Sequence, residues 1–355
     1  MPQQEEPKPL LIISSSPHIH SGSTVSAAMR DVLLALAPAL AASLYYFRTD
    51  ALQVILACCA SAVIAEALCQ KIMRRPVTVT DCSALLTGLL LAFCLPPQIS
   101  PGLAAFGAAC AIVIGKQVFG GLGANIFNPA HIGRAILLTS FPAQMTTWSL
   151  PVTAGTADAV ASATTAATTA ATSAADAVTV ATPLALLREA GRLWQSGAAV
   201  QDGFLPELSQ LFLGNTAGSL GETCVPALLA GGLFLIWRQI IDWRIPVFYI
   251  GLTGIICALY GFYNNFAATY ALYHICSGGL IIGAFFMATD WVTSPVTKKG
   301  RIIFAVGLAV ITSLIRLRGG YIEGVCYSIL IMNMLTPLID RYIINTPFGG
   351  GKRHA

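Results

Sequence analysis

Ten apolar runs divide this chain, and several are too short to be ordinary membrane spans. They cover approximately residues 27–47, 51–70, 82–96, 101–118, 125–141, 224–240, 245–263, 269–289, 302–317 and 321–340. A straight helix needs about 20 apolar residues to cross a bilayer. The third run ends at Pro96 and Pro97, and the fifth contains Asn128 and Pro129. Short, proline-interrupted segments predict half or tilted helices around a central cavity. The chain is 55% hydrophobic and only 10% charged. A soluble domain carries about 25% charged residues, so an all-α integral membrane protein is expected. The net charge of +4, with no basic stripe interleaved with aromatics, argues against nucleic acid as a partner.

Lysine and arginine suggest an orientation. If the N-terminus is cytoplasmic, that side holds Lys71, Arg74, Arg75, Lys116, Arg238, Arg244, Lys298, Lys299 and Arg301, with Arg341, Lys352 and Arg353 in the tail. The short loops of the other side hold Arg48, Arg316 and Arg318. Both termini are then expected in the cytoplasm. The expected segments are a short N-terminal stretch (1–26), a five-helix unit (27–141), a large outer loop (142–223), a second five-helix unit (224–340) and a tail (341–355). The opening residues lack the pattern of a signal peptide. Segments 84–96 and 120–130 have weak counterparts at 278–295 and 316–325. Five spans per copy is an odd number, so the second copy is expected inverted: a 5+5 inverted repeat.

The ten cysteines lie in or beside apolar runs without a CxxC or Cys/His ligand pattern. They read as small packing residues, and no metal site is expected. Gly120 to Gly123 (GGLG) follows no soluble strand and reads as a tight turn, not a nucleotide loop.

Residues 153–182 are mostly alanine, threonine and serine, with nine threonines. Such composition reads as a linker. Thr182 differs from the other eight because Pro183 and an amphipathic run follow it. It is placed to cap a helix whose first residue is proline. A helix N-terminus also favours a phosphoryl group. Inside the apolar runs, Glu66, Asp81, Lys116, His131, Arg134, Asp290 and Glu323 are costly and need a partner or a role. Capping and snorkelling are the ordinary readings. An ion path or a second ligand pocket is the other. His131 and Arg134 share one helix face and could meet a phosphate or a carboxylate from the facing half.

Asp176 to Leu184 (DAVTVATPL) resembles the flavin-attachment motif D-x-x-[ST]-G-A-T of the RnfD/NqrB family, with Val180 where glycine is usual. Ser15 to His18, Asp81 to Pro97, Ile114 to Gly121, Asn125 to Ala130, Ala288 to Pro295 and Arg318 to Gly324 also resemble that family. The similarity covers nearly the whole chain. It implies FMN bound through a phosphoester to Thr182, with Asp176, Thr179 and Ala181 completing the motif. It also implies a periplasmic flavin transferase, and a second, non-covalent flavin (riboflavin) in the membrane domain. The membrane would be the bacterial inner membrane, with the 142–223 loop periplasmic. Expected partners are a flavin-bearing periplasmic subunit and the iron–sulfur subunits, membrane and cytoplasmic, of an Rnf-type complex. Such a complex passes electrons between ferredoxin and NAD⁺ and moves Na⁺ or H⁺; this chain alone would not be catalytic. The short N-terminal segment favours RnfD over NqrB. An NqrB-like quinone reductase subunit, a flavin-free inverted-repeat channel and a membrane scaffold remain alternatives.

Overall fold

The computed structural model describes residues 24–151, 180–196, 203–222, 224–266 and 269–344. Asp176 and Thr179 lie outside them. Every secondary-structure element among the described residues is helical, and a helix falls on each of the ten apolar runs.

Helix α1 (Val25–Ile72) covers the first two runs. Thr24 caps it by accepting from the Ala27 N–H. Its 48 residues would extend about 72 Å at 1.5 Å per residue, more than twice a bilayer core of about 30 Å. The helix breaks at Arg48, where φ is 46° and ψ is −118°, so each limb has the length of one span. A one-turn 3₁₀ segment (Val79–Asp81) leads into α2 (Ser83–Phe93), a half-length helix. Helix α3 (Pro101–Ile112) runs on as a π turn (Val113–Gln117), and α4 (Pro129–Ser140) starts behind the Asn128 cap. A short α5 (Pro142–Met145) closes the first half.

Helices α6 (Pro183–Gln195) and α7 (Leu208–Leu213) lie between the halves. The second half holds α8 (Val225–Trp237), α9 (Arg244–Tyr263), α10 (Tyr270–Cys276), α11 (Leu280–Ile282) with its π turn (Gly283–Met287), α12 (Lys298–Arg318) and α13 (Val325–Tyr342). By length and apolar composition α1, α9 and α12 can cross a membrane, and the α10–α11 pair makes a fourth candidate, bent by 61°.

A helix that stops inside a membrane leaves carbonyls without partners. Here segments distant in the chain satisfy each other. Leu220 and Gly221 donate their N–H groups to the carbonyls of Leu95 and Phe93, at 3.1 and 2.8 Å, just where α2 ends. In return Asn128 donates its side-chain amide to the Met287 carbonyl at 3.2 Å, where the π turn after α11 ends. Half-helices therefore survive here because each takes polar groups from a segment far away in the chain: α2 from the segment between the halves, and the π turn after α11 from the first half.

Candidate functional site

Thr182 is the N-cap of α6: its Oγ1 accepts from the Ala185 N–H at 3.3 Å, and Pro183 takes the first helical position. Three anchors hold this residue. The buried face of α6, with Leu184 and Leu187, packs on Phe266 and Tyr270. Arg188 donates to the carbonyls of Gly319 and Gly320. Just before the cap, the Val180 N–H donates to the Trp148 carbonyl at 3.2 Å. Val180 stands where the flavin-attachment motif has glycine, and here its backbone pins the chain to the segment that follows α5.

Thr182 and Ala181 line a cavity of about 440 Å³, within the roughly 300–1,000 Å³ typical of small-molecule sites. Trp148, Tyr321 and Tyr327 provide aromatic wall, and Arg134, Glu222 and Glu323 the charge. Arg134 forms an ion pair with Glu323 of the facing half. His131 is buried one turn earlier on α4 and lacks a partner at either ring nitrogen among the described residues. The Arg134 Nε also has none.

The break between α10 and α11 explains why a carboxylate can sit here. Gly278 has φ +70°, and a Cβ on Gly279 would fall 2.7 Å from Glu323 Oε1. The bare Gly279 N–H instead donates to that oxygen at 2.8 Å, at the start of the α11 half-helix, where negative charge is favoured. Glu222 Oε1 would lie 3.5 Å from the same Cβ, so two carboxyl groups crowd one glycine. Burial pushes the Glu222 carboxyl up to about 7, and the negative charge of Glu323 adds to the shift. Glu323 has the Arg134 guanidinium and the Gly279 N–H for partners. Glu222 is thus the carboxyl set to take a proton.

The remaining sequence candidates gather elsewhere. Lys116 donates to Glu66 and to the Ser83 hydroxyl, both at 2.6 Å. Gln117 also donates to Glu66, at 2.9 Å. Asp81 accepts from the Ser83 N–H at 2.8 Å and its hydroxyl at 2.6 Å, so it caps α2. Ser83, Lys116 and Asp290 line a second cavity of about 90 Å³. The structure therefore separates two groups: Asp290 and Lys116 on this small cavity, with Glu66 and Asp81 bonded to its Lys116 and Ser83, and Arg134 and Glu323 on the Thr182 cavity, with His131 one turn earlier on α4.

Sequence reading missed Glu222, which lies in a Gly/Ser-rich stretch that reads as outer loop. Its one signal is a lone carboxylate two residues before a span. Arg316 reads as a loop charge in the sequence; it lies within α12, 3% exposed, and donates to the carbonyls of His274 and Ser277.

The two faces of the molecule differ in charge chemistry. Arg301, near the start of α12, donates to Asp242 at 2.7 Å, whereas Arg316 near its end lies beside the Thr182 region. Fifteen residues of helix between them span about 22 Å. Asp242 also accepts from Arg244, and Arg238 pairs with Asp31 at 2.8 Å.

Broken helices that complete one another, together with several helices apolar and long enough to cross a bilayer, define a helical membrane protein with a polar cavity at one end. Residues 12–349 match the family described as NQR2, RnfD, RnfE, and the chain belongs to that family. It is 46% identical over 349 residues to the D subunit of a proton-translocating ferredoxin:NAD(+) oxidoreductase complex of Clostridium ljungdahlii, covering 98% of this chain and 99% of the relative. It is 43% identical to the D subunit of a Na(+)-translocating ferredoxin:NAD(+) oxidoreductase complex of Acetobacterium woodii, covering 96% and 95%. The D subunit of an ion-translocating oxidoreductase complex of Stutzerimonas stutzeri is also 43% identical, covering 93% and 94%.

Proposed function

We propose that this chain is the RnfD-type subunit of an ion-translocating ferredoxin:NAD⁺ oxidoreductase complex and carries FMN as a phosphoester on Thr182. The observation that supports this most is the juxtaposition of a helix-capping threonine with a flavin-sized, aromatic-walled cavity. FMN, when bound, supplies electron transfer without any need for metal ligands from this chain. The residues present suit it. The first-turn N–H groups of α6 would meet the phosphoryl oxygens. Trp148, Tyr321 and Tyr327 offer ring faces, and Arg134 has an uncommitted Nε. Glu222 is the group that takes up a proton when negative charge enters the cavity.

The second flavin that the family resemblance implies is another matter. The small cavity, at about 90 Å³, is below the roughly 300 Å³ at which small-molecule pockets begin. It does not fit a three-ring ligand, and no step is assigned there.

Ten spans in two inverted five-helix units, with both termini in the cytoplasm and the 142–223 loop periplasmic, remain our reading of the topology. It is supported by a helix on every apolar run and by Arg238, Arg244 and Arg301 gathering on the face away from Thr182. The iron–sulfur and NAD⁺ chemistry belongs to partner subunits, and a periplasmic flavin transferase would attach the FMN. One relative is named for protons and another for Na⁺ at similar identity, so relatedness does not choose the ion.

The test is the assembled complex carrying Thr182→Val. We expect normal assembly with ferredoxin-dependent NAD⁺ reduction and ion uptake both lost. Full activity in that variant would make the 142–223 loop a spacer and remove Thr182 from the electron path.

A further inference from the structure

We propose that a third cavity, on the other side of α6 from the Thr182 cavity, binds an anionic phospholipid from the leaflet on the Thr182 side. The cavity is about 660 Å³, and α6, α9 and the end of α12 contribute to its wall. Arg188, Arg192, Arg316 and Arg318 line it, and no Asp or Glu does. Arg192 pairs with Glu189 at 3.3 Å, and the other three guanidinium groups form no ion pair among the described residues. Arg188 and Arg316 spend donors on backbone carbonyls alone; the Glu323 carboxylate acts on Arg316 through space without an ion-pair contact.

Two side chains here are built for a ligand. His274 and Arg316 are each only 3% exposed. Both ring nitrogens of His274 and the Nε of Arg316 lack a partner among the described residues. A buried donor without a partner costs about 1–3 kcal/mol, and a phosphate oxygen would remove that cost. Phosphate is the anion that arginine clusters recognise best.

The opposite wall decides for a lipid over a free anion. Ile256, Leu259 and Tyr263 form one stripe of α9 at helical spacing, running from the cavity along the helix. Leu259 is 64% and Tyr263 85% exposed, as residues facing acyl chains are on a spanning helix. Arg188, Arg192 and Gln195 form the facing stripe of amphipathic α6. An amphipathic helix with basic residues over an apolar base suits the plane of the membrane interface. A headgroup among the arginines with one acyl chain along α9 uses both walls. Basic pockets beside membrane helices bind anionic headgroups in this way.

Native mass spectrometry of the full chain, purified in detergent and titrated with phosphatidylglycerol or phosphatidylcholine, tests this. We expect phosphatidylglycerol to be retained in preference, with Arg318→Gln weakening it about fivefold and Arg316→Gln weakening it further. Inorganic phosphate at millimolar concentration should not displace it. Arg318 is exposed, so its variant keeps the test valid if Arg316→Gln does not fold. Equal retention of the two lipids, no change in Arg318→Gln, or displacement by inorganic phosphate would each overturn the proposal.

Discussion

The two ends of α12 solve the same problem in opposite ways. At the first end, the Asp242 carboxylate is fully partnered. It accepts from the Arg244 N–H at 2.9 Å, from the Arg244 guanidinium and from Arg301. Burial would raise the Asp242 pKa, yet these hydrogen bonds outweigh it and hold the group below its ordinary value. Around Thr182 the polar groups are crowded and underused: His131, His274 and the Nε atoms of Arg134 and Arg316 have no partner among the described residues, and Glu222 faces a second carboxylate. Folding alone has no use for such a surplus, since unsatisfied buried groups are destabilising.

That contrast can be broken by substitution. The largest effect is expected from Arg134→Met. It leaves Glu323 as an unpaired buried charge and should destabilise by about 3–5 kcal/mol. Arg134→Met with Glu323→Gln should recover most of this in a thermal-unfolding assay; if the double variant is as unstable as the single one, the pair is not the reason. Asp242→Asn should cost less, about 1–2 kcal/mol, because solvent reaches Arg301 and weakens the pair. It should not change flavin content.

The pH dependence has opposite signs at the two ends. Glu222 binds a proton more tightly in the folded chain. Stability from this group is therefore present at low pH and falls as pH rises from its ordinary value of 4.5 towards about 7. Asp242 is depressed, so its contribution is present above the unfolded pKa and lost as pH falls through the lower folded value. Melting temperatures of wild type and Glu222→Gln between pH 5 and pH 8 should differ in slope, with the variant flatter. Parallel curves would remove Glu222 as the titrating group. The smallest effect is expected from Thr182→Ser, which keeps both the cap and a hydroxyl. It should leave helicity unchanged by circular dichroism and cost only tenths of a kcal/mol.

Much of the fold was legible because membrane burial writes itself into long apolar runs, and each of the ten coincides with a helix. The Thr182 cap was legible for the same local reason: threonine, then proline, then an amphipathic stretch. What sequence could not show was which half-helix ends meet. Arg134 and Glu323 are 189 residues apart, and their contact depends on a bend at Gly278 and Gly279 that no periodicity announces. Glu222 was hidden because a loop in sequence became a strut in space, when Leu220 and Gly221 turned inward to complete α2. Arg316 was misplaced because a basic residue near a helix end normally snorkels outward, whereas here carbonyls of the broken α10 draw it in. Asp81 and Asp290 read as interfacial groups. The structure makes Asp81 a cap and sets Asp290 beside the small cavity, accepting from Thr293 at 3.1 Å.

The central claim is that Thr182 is the point where a cofactor joins this chain. The most direct measurement is the intact mass and in-gel flavin fluorescence of the full chain, produced with an active flavin transferase, beside Thr182→Val. The account predicts one FMN, less the water lost on ester formation, on the wild-type chain and none on the variant. An unmodified wild-type chain, or an adduct that persists in Thr182→Val, would contradict it.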